Sequence, residues 1–119
     1  MAIDVTEETY PELVESGNVL LDVWGPDCIP CMALMPFVDS LEQEYDGQVS
    51  VLKLNAPDHR KLCRELRVAG LPAYITLRDG VEVERVTSTQ ATQKNITAAI
   101  DRLLAGAPAK GLPVPEHLR

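Results

Sequence analysis

Aromatic side chains make up only 4% of this 119-residue chain, with one tryptophan, one phenylalanine and three tyrosines. A single-strand nucleic-acid surface needs stacking platforms, so this scarcity argues against one. Positive charge is also short: 11 Lys and Arg against 18 Asp and Glu leave a formal charge of −7. Affinity for a phosphate backbone comes from Lys and Arg displacing counterions, and this balance excludes nucleic acid as the main partner. No apolar run approaches the roughly 18 residues of a membrane-spanning helix, so no membrane role is expected. The opening Met-Ala-Ile-Asp-Val-Thr-Glu-Glu is acidic early and lacks the basic start and apolar stretch of a secretory leader. Three cysteines are too few for a disulfide framework. The cytosol is the expected location, and a close cysteine pair there points to redox chemistry or a metal.

What remains is ordinary for a globular protein: 45% hydrophobic and 24% charged residues. The length suits one domain that buries roughly two-thirds of its unfolded surface. Residues 6–16 read as a short helix, weakened by Pro11 and stopped by Gly17. Asn18–Trp24 is a nearly continuous apolar run between glycines, which suits a strand buried on both faces, with Asp22 its one anomalous charge. From Cys31, the residues Leu34, Val38, Leu41 and Tyr45 trace one helical face to about Gly47, with Pro36 as a kink. Gln48–Leu54 reads as a second buried strand, whose odd charge is Lys53. Residues 57–67 form a short helix, and 73–77 and 81–86 a hairpin turned at Asp79-Gly80. A last helical stripe runs from Ile96 to Leu104. Residues 107–119, with three prolines and no periodicity, are expected to be a mobile or extended tail after a domain spanning 1–106. The order gives a parallel βαβ unit followed by antiparallel edge strands, an α/β sandwich around a mixed sheet.

The chemistry gathers in Trp24-Gly25-Pro26-Asp27-Cys28-Ile29-Pro30-Cys31, where the first buried strand gives way to a helix. A cysteine just ahead of a helix N-terminus faces unpaired N–H groups and the positive end of the helix dipole, which favour the thiolate. The thiolate is the attacking species in disulfide exchange. A second cysteine one turn into the helix is close enough to resolve the mixed disulfide. The spacing therefore supplies a nucleophile, Cys28, and a resolving thiol, Cys31.

Here the sequence resembles the thioredoxin family, from about Thr6 to Gly106. Trp24, Cys28, Pro30 and Cys31 match the family's tryptophan and Cys-Gly-Pro-Cys after a buried strand. Asp22 matches its buried aspartate, Lys53 the lysine near it, Pro36 the kink proline and Gly80 the hairpin glycine. Leu71-Pro72 matches the Ile-Pro whose proline is cis and faces the cysteines. The resemblance implies the thioredoxin fold, a central mixed β-sheet with helices on both faces. It implies a thiol–disulfide oxidoreductase, monomeric and without cofactor. Its partners would be disulfide-bearing proteins and a recycling reductase of the thioredoxin reductase kind. It further implies that Asp22 serves Cys31 during resolution, with Lys53 tuning it. Burial raises a carboxyl's pKa and lets it exchange a proton near neutrality; a plain buried ion pair is the alternative. Trp24, Ile29, Pro30, Leu71 and Pro72 would form the contact surface for an extended partner segment, in the manner of β-augmentation.

The departures from the family pattern are specific. Asp27 stands where a second Trp is usual, Ile29 where Gly is, and Met32 replaces a basic residue. Ala73 replaces Thr after the proline, and the glycine expected after the last strand is missing near Thr87-Ser88. Asp27 opposes a thiolate at Cys28, and loss of the base at 32 acts in the same sense. The acidic surface serves solubility and favours basic partner surfaces.

Two other readings use the same residues. Cys28, Cys31, His59 and Cys63 formally make a Cys₃His zinc set. Alternatively, the altered groove belongs to a redox-idle interaction scaffold. Cys63 by itself reads as a small buried hydrophobe, and His117 as a solvated tail residue.

Overall fold

A computed structural model of the chain describes residues 2–109. Five strands form one sheet: β1 (Ile3–Asp4), β2 (Asn18–Trp24), β3 (Ser50–Asn55), β4 (Ala73–Arg78) and β5 (Val81–Thr87). Their spatial order is β1-β3-β2-β4-β5. β2 sits at the centre, parallel to β3 and antiparallel to β4, while β5 closes the antiparallel hairpin at one edge. The helices are α1 (Tyr10–Val14), α2 (Ile29–Glu44), α3 (Arg60–Glu65) and α4 (Gln93–Leu104).

Alternation along β2 divides the apolar core into two layers. Val19, Leu21 and Val23 pack with Tyr10 and Val14 of α1 and Leu62 and Cys63 of α3. Leu20 points the other way, into a layer with Val38 and Leu41 of α2 and Ile96, Ile100 and Leu103 of α4. Each face of the sheet is thus covered by two helices, which is why β2 carries apolar residues at nearly every position. The mixed sheet with helices on both faces is the architecture anticipated from the sequence.

Several boundaries differ from the sequence reading. The helix expected over 6–16 is confined to Tyr10–Val14, and Pro11 stands in its first turn, where a missing N–H costs nothing. Ahead of it, Thr6 and Thr9 exchange side-chain and backbone hydrogen bonds in a turn. β1 was not anticipated: two exposed residues pair with β3 in parallel. The single helix expected over 57–67 is instead a 3-10 turn, Ala56–Asp58, then α3, because His59 leaves helical geometry at φ −138°. β3 starts at Ser50, since the amides of Gln48 and Val49 both bond the Tyr45 carbonyl and finish α2. α4 begins earlier than its apolar stripe, capped by the Thr92 hydroxyl, which accepts from the Asn95 amide.

The start of the expected tail is anchored. Arg78 donates from Nη1 to the Ala107 carbonyl and from Nη2 to the Leu103 carbonyl, both at 2.7 Å. Residues 110–119 of the tail, with His117, lie outside the described residues.

Candidate active site

Trp24 ends β2, and the chain turns through Gly25 and Pro26 into α2. The Cys28 amide bonds the Gly25 carbonyl at 3.1 Å, closing this turn and presenting Cys28 as the N-cap of α2. Cys28 Sγ accepts from the Cys31 amide at 3.2 Å. The sulfur therefore sits against an unpaired amide of the helix N-terminus, as the sequence position implies. Cys28 and Cys31 are joined by a disulfide with their Cα atoms 5.2 Å apart. Their exposures differ: Cys28 is half-buried, whereas Cys31 is only 1% exposed.

Around the bridge the surface is apolar. Ile29 is 82% exposed and Met32 43%, the largest unburied hydrophobic groups on this side of the described chain. Pro30 is exposed as well. The Leu71–Pro72 peptide is cis, as the resemblance implied. The Ser88 amide bonds the Pro72 carbonyl at 2.9 Å and ties the segment after β5 to this loop. Ser88 itself has φ 52°, so a non-glycine residue holds left-handed backbone where the family's glycine was missed.

Asp22 is 0% exposed, and neither carboxylate oxygen has a hydrogen-bond partner among the described residues. In the sheet it lies directly opposite Lys53 on β3 and Tyr74 on β4. Burial pushes its carboxyl up to about 7; Lys53 pulls against that rise and Asp39 adds to it. The simple Asp22–Lys53 ion pair weighed from the sequence is not formed. Lys53 Nζ instead donates to Asp39 Oδ1 on α2 at 2.6 Å. An exposed carboxylate on a neighbouring helix thus holds the lysine, and the buried one titrates close to neutral pH rather than near 4. Nothing in the local sequence around Asp39 signals this, because its position on a helix face is set by tertiary packing. Tyr74 is a second residue missed: its hydroxyl is buried without a partner among the described residues, and burial and Asp22 both raise its pKa.

The four-residue zinc set does not assemble. Cys28 and Cys31 are bonded to each other, and His59 Nδ1 lies 2.6 Å from Glu7 Oε1. Among the described residues no three His, Cys, Asp or Glu side chains gather as a metal site. Cys63 is buried, and burial raises its thiol pKa, away from reactivity. Trp24 is half-buried at the end of β2, with its indole N–H buried and unpartnered among the described residues.

Comparison with known proteins agrees with this geometry. The thioredoxin family model matches residues 1–102. A thioredoxin of Peptoclostridium acidaminophilum is 40% identical over 102 residues, covering 84% of this chain and 93% of that protein. A thioredoxin of Acetoanaerobium sticklandii is 35% identical over 89 residues, covering 75% and 85%. Among solved structures, a chain from a crystal structure of a ferredoxin:thioredoxin reductase and thioredoxin f2 complex superposes with a TM-score of 0.78. It shares 27% identity, over 86% of this chain and 94% of that one. Among the described residues no helix is long and apolar enough to cross a membrane. With a cysteine pair at disulfide distance on the helix start that follows its central strand, the chain belongs to the thioredoxin family and is a thiol–disulfide oxidoreductase.

Proposed function

We propose that the protein reduces disulfides of partner proteins, with Cys28 as the nucleophile and Cys31 as the resolving thiol. The observation that carries this assignment is the difference in exposure between the two sulfurs: a partner can reach Cys28 but not Cys31. In the reduced protein the Cys28 thiolate attacks a partner sulfur, forming a mixed disulfide and releasing the partner's other sulfur as thiolate. Cys31 then attacks Cys28 Sγ, which re-forms the Cys28–Cys31 bridge and frees the second partner thiol. Two electrons and two protons pass to the partner.

Cys31 must lose its proton before it can attack. Asp22, held near pH 7 by burial, is the group whose proton affinity suits that transfer, and the Lys53–Asp39 pair sets how far its pKa rises. Trp24, Ile29, Pro30, Leu71 and Pro72 supply the apolar surface on which an extended partner segment lies. A reductase of the thioredoxin reductase kind would return the pair to the dithiol; the solved neighbour comes from a complex of a thioredoxin with a ferredoxin:thioredoxin reductase. The protein acts as a monomer in a reducing compartment, the cytosol, where such a pair is kept ready for exchange.

Turnover of a protein disulfide tests the roles. Cys28→Ser should abolish it. Cys31→Ser should accumulate a stable mixed disulfide through Cys28. Full activity of the first variant, or no trapped adduct from the second, would reverse the assignment.

A further inference from the structure

The basic residues of this acidic chain are unevenly placed. Arg60, Lys61, Arg64 and Arg67 fall within eight consecutive positions, on and just after α3. Arg60 and Arg64 are four apart and share a helix face. Both line a groove of about 400 Å³ whose remaining walls are apolar, among them Pro57, Cys63, Val68 and Leu71. No lining residue is acidic, on a chain where acids outnumber bases 18 to 11.

Arg60 and Arg64, unlike Lys53, Lys61, Arg85 and Arg102, have no described counter-ion. Lys53 is held by Asp39, Arg102 by Glu84 and Arg85 by Glu82, while Arg78 is occupied by two carbonyls. Lys61 faces Glu65 at 4.0 Å. Arg60 and Arg64 are exposed and make no ion pair among the described residues. The wall that carries them is fixed: Arg85 donates to the carbonyls of Leu66 and Arg67, at 3.0 and 3.1 Å, and pins the C-terminal end of α3 to β5.

This groove abuts the turn that leads into the redox site. Leu71, one of its walls, immediately precedes cis-Pro72. A Cβ built on Gly25 would lie 3.3 Å from Leu71 Cδ1 and 3.5 Å from Pro57 Cδ. The groove therefore begins against the turn that delivers Cys28 and runs outward to the two arginines.

We propose that the groove selects the partner: it receives the chain flanking the attacked disulfide, and favours flanks rich in Asp and Glu. An apolar side chain of that flank would fill the floor between Pro57 and Leu71, and its carboxylates would meet Arg60 and Arg64. Guanidinium groups suit carboxylates through paired N–H donors. The inference rests on the oxidoreductase reading and names a substrate class for it. It also opposes the overall field, because a net charge of −7 would by itself attract basic partners and repel acidic ones.

The test uses the reduced full-length protein and three peptides with the same intramolecular disulfide, flanked by Glu/Asp, Ser or Lys. The wild type should reduce the acidic peptide about tenfold faster in kcat/KM than the lysine peptide, with the gap shrinking at high salt. The double substitution Arg60→Glu, Arg64→Glu should reverse the order and leave the serine peptide's rate unchanged. Arg60→Lys with Arg64→Lys should keep the original order. The serine peptide reports on folding in every variant, and the wild-type ranking stands without any variant. Equal rates for all three peptides, a preference for lysine, or an unchanged order in the charge-reversed protein would overturn the groove assignment alone. Failure to reduce any peptide, or a small aromatic disulfide, would overturn the oxidoreductase reading beneath it.

Discussion

Asp22→Asn should stabilise the oxidised protein by an amount that grows with pH. The Asp22 carboxyl is raised from 3.8 to about 7 because burial disfavours its charged form. In the unfolded chain it ionises near the lower value. Between the two, the folded state holds a proton that the unfolded state has released. Stability therefore falls as pH rises from about 4 to about 7 and levels off above that. That rise corresponds to about 4 kcal/mol of lost stability at pH 8. Asn has the same shape, and like the protonated acid it leaves a buried polar group without a partner. The variant and the wild type should thus be close near pH 4 and differ by about 4 kcal/mol at pH 8. Guanidinium unfolding of the oxidised forms across this range reads the difference directly, provided the slopes agree. A gap that does not change with pH, or an Asn variant less stable at pH 8, would refute the claim that a buried charge sets this cost.

Asp39→Asn removes a carboxylate that raises the Asp22 pKa and frees Lys53, which lowers it. The pH range over which the wild type loses stability should move to lower pH, as should any pH dependence of the resolving step; titration curves that superpose on the wild type would contradict the pairing. Arg78→Ala deletes two charge-assisted hydrogen bonds to carbonyls at the end of α4. It should cost about 1–3 kcal/mol in denaturant unfolding without changing disulfide exchange, and a cost below about 0.5 kcal/mol would show that the contacts contribute little.

The parts of the fold that could be read ahead are those whose signals are local. β2 announces itself as an apolar run between Gly17 and Gly25, and the hairpin by Asp79-Gly80, where both residues have positive φ. α2 shows its buried face through Val38 and Leu41. β1 could not be read, because two exposed residues carry no period; it forms only because β3 offers an open edge. The break at His59 is likewise invisible in composition. The site divides along the same line. Asp22 stands out as a charge in an apolar strand, and the cysteines by spacing. The identity of the group holding Lys53 depends on where α2 crosses the sheet, which no local pattern encodes. The arginine pair on α3 was visible only as charge; its meaning comes from the wall opposite it.

The bridge between Cys28 and Cys31 spans a sequence separation of three, all within the first turn of α2. A loop this short removes only about 2 kcal/mol of chain entropy from the unfolded state, so the fold does not depend on it. Oxidation and folding nevertheless form a closed thermodynamic cycle. The difference in folding stability between the bridged and dithiol forms must equal the difference in reduction potential between the native pair and the same pair in the unfolded chain. About 1.4 kcal/mol of that difference is equivalent to about 30 mV. A denaturation curve measured on each form is therefore also an electrochemical measurement. Contacts made equally in both forms leave the potential untouched, however much they stabilise the protein.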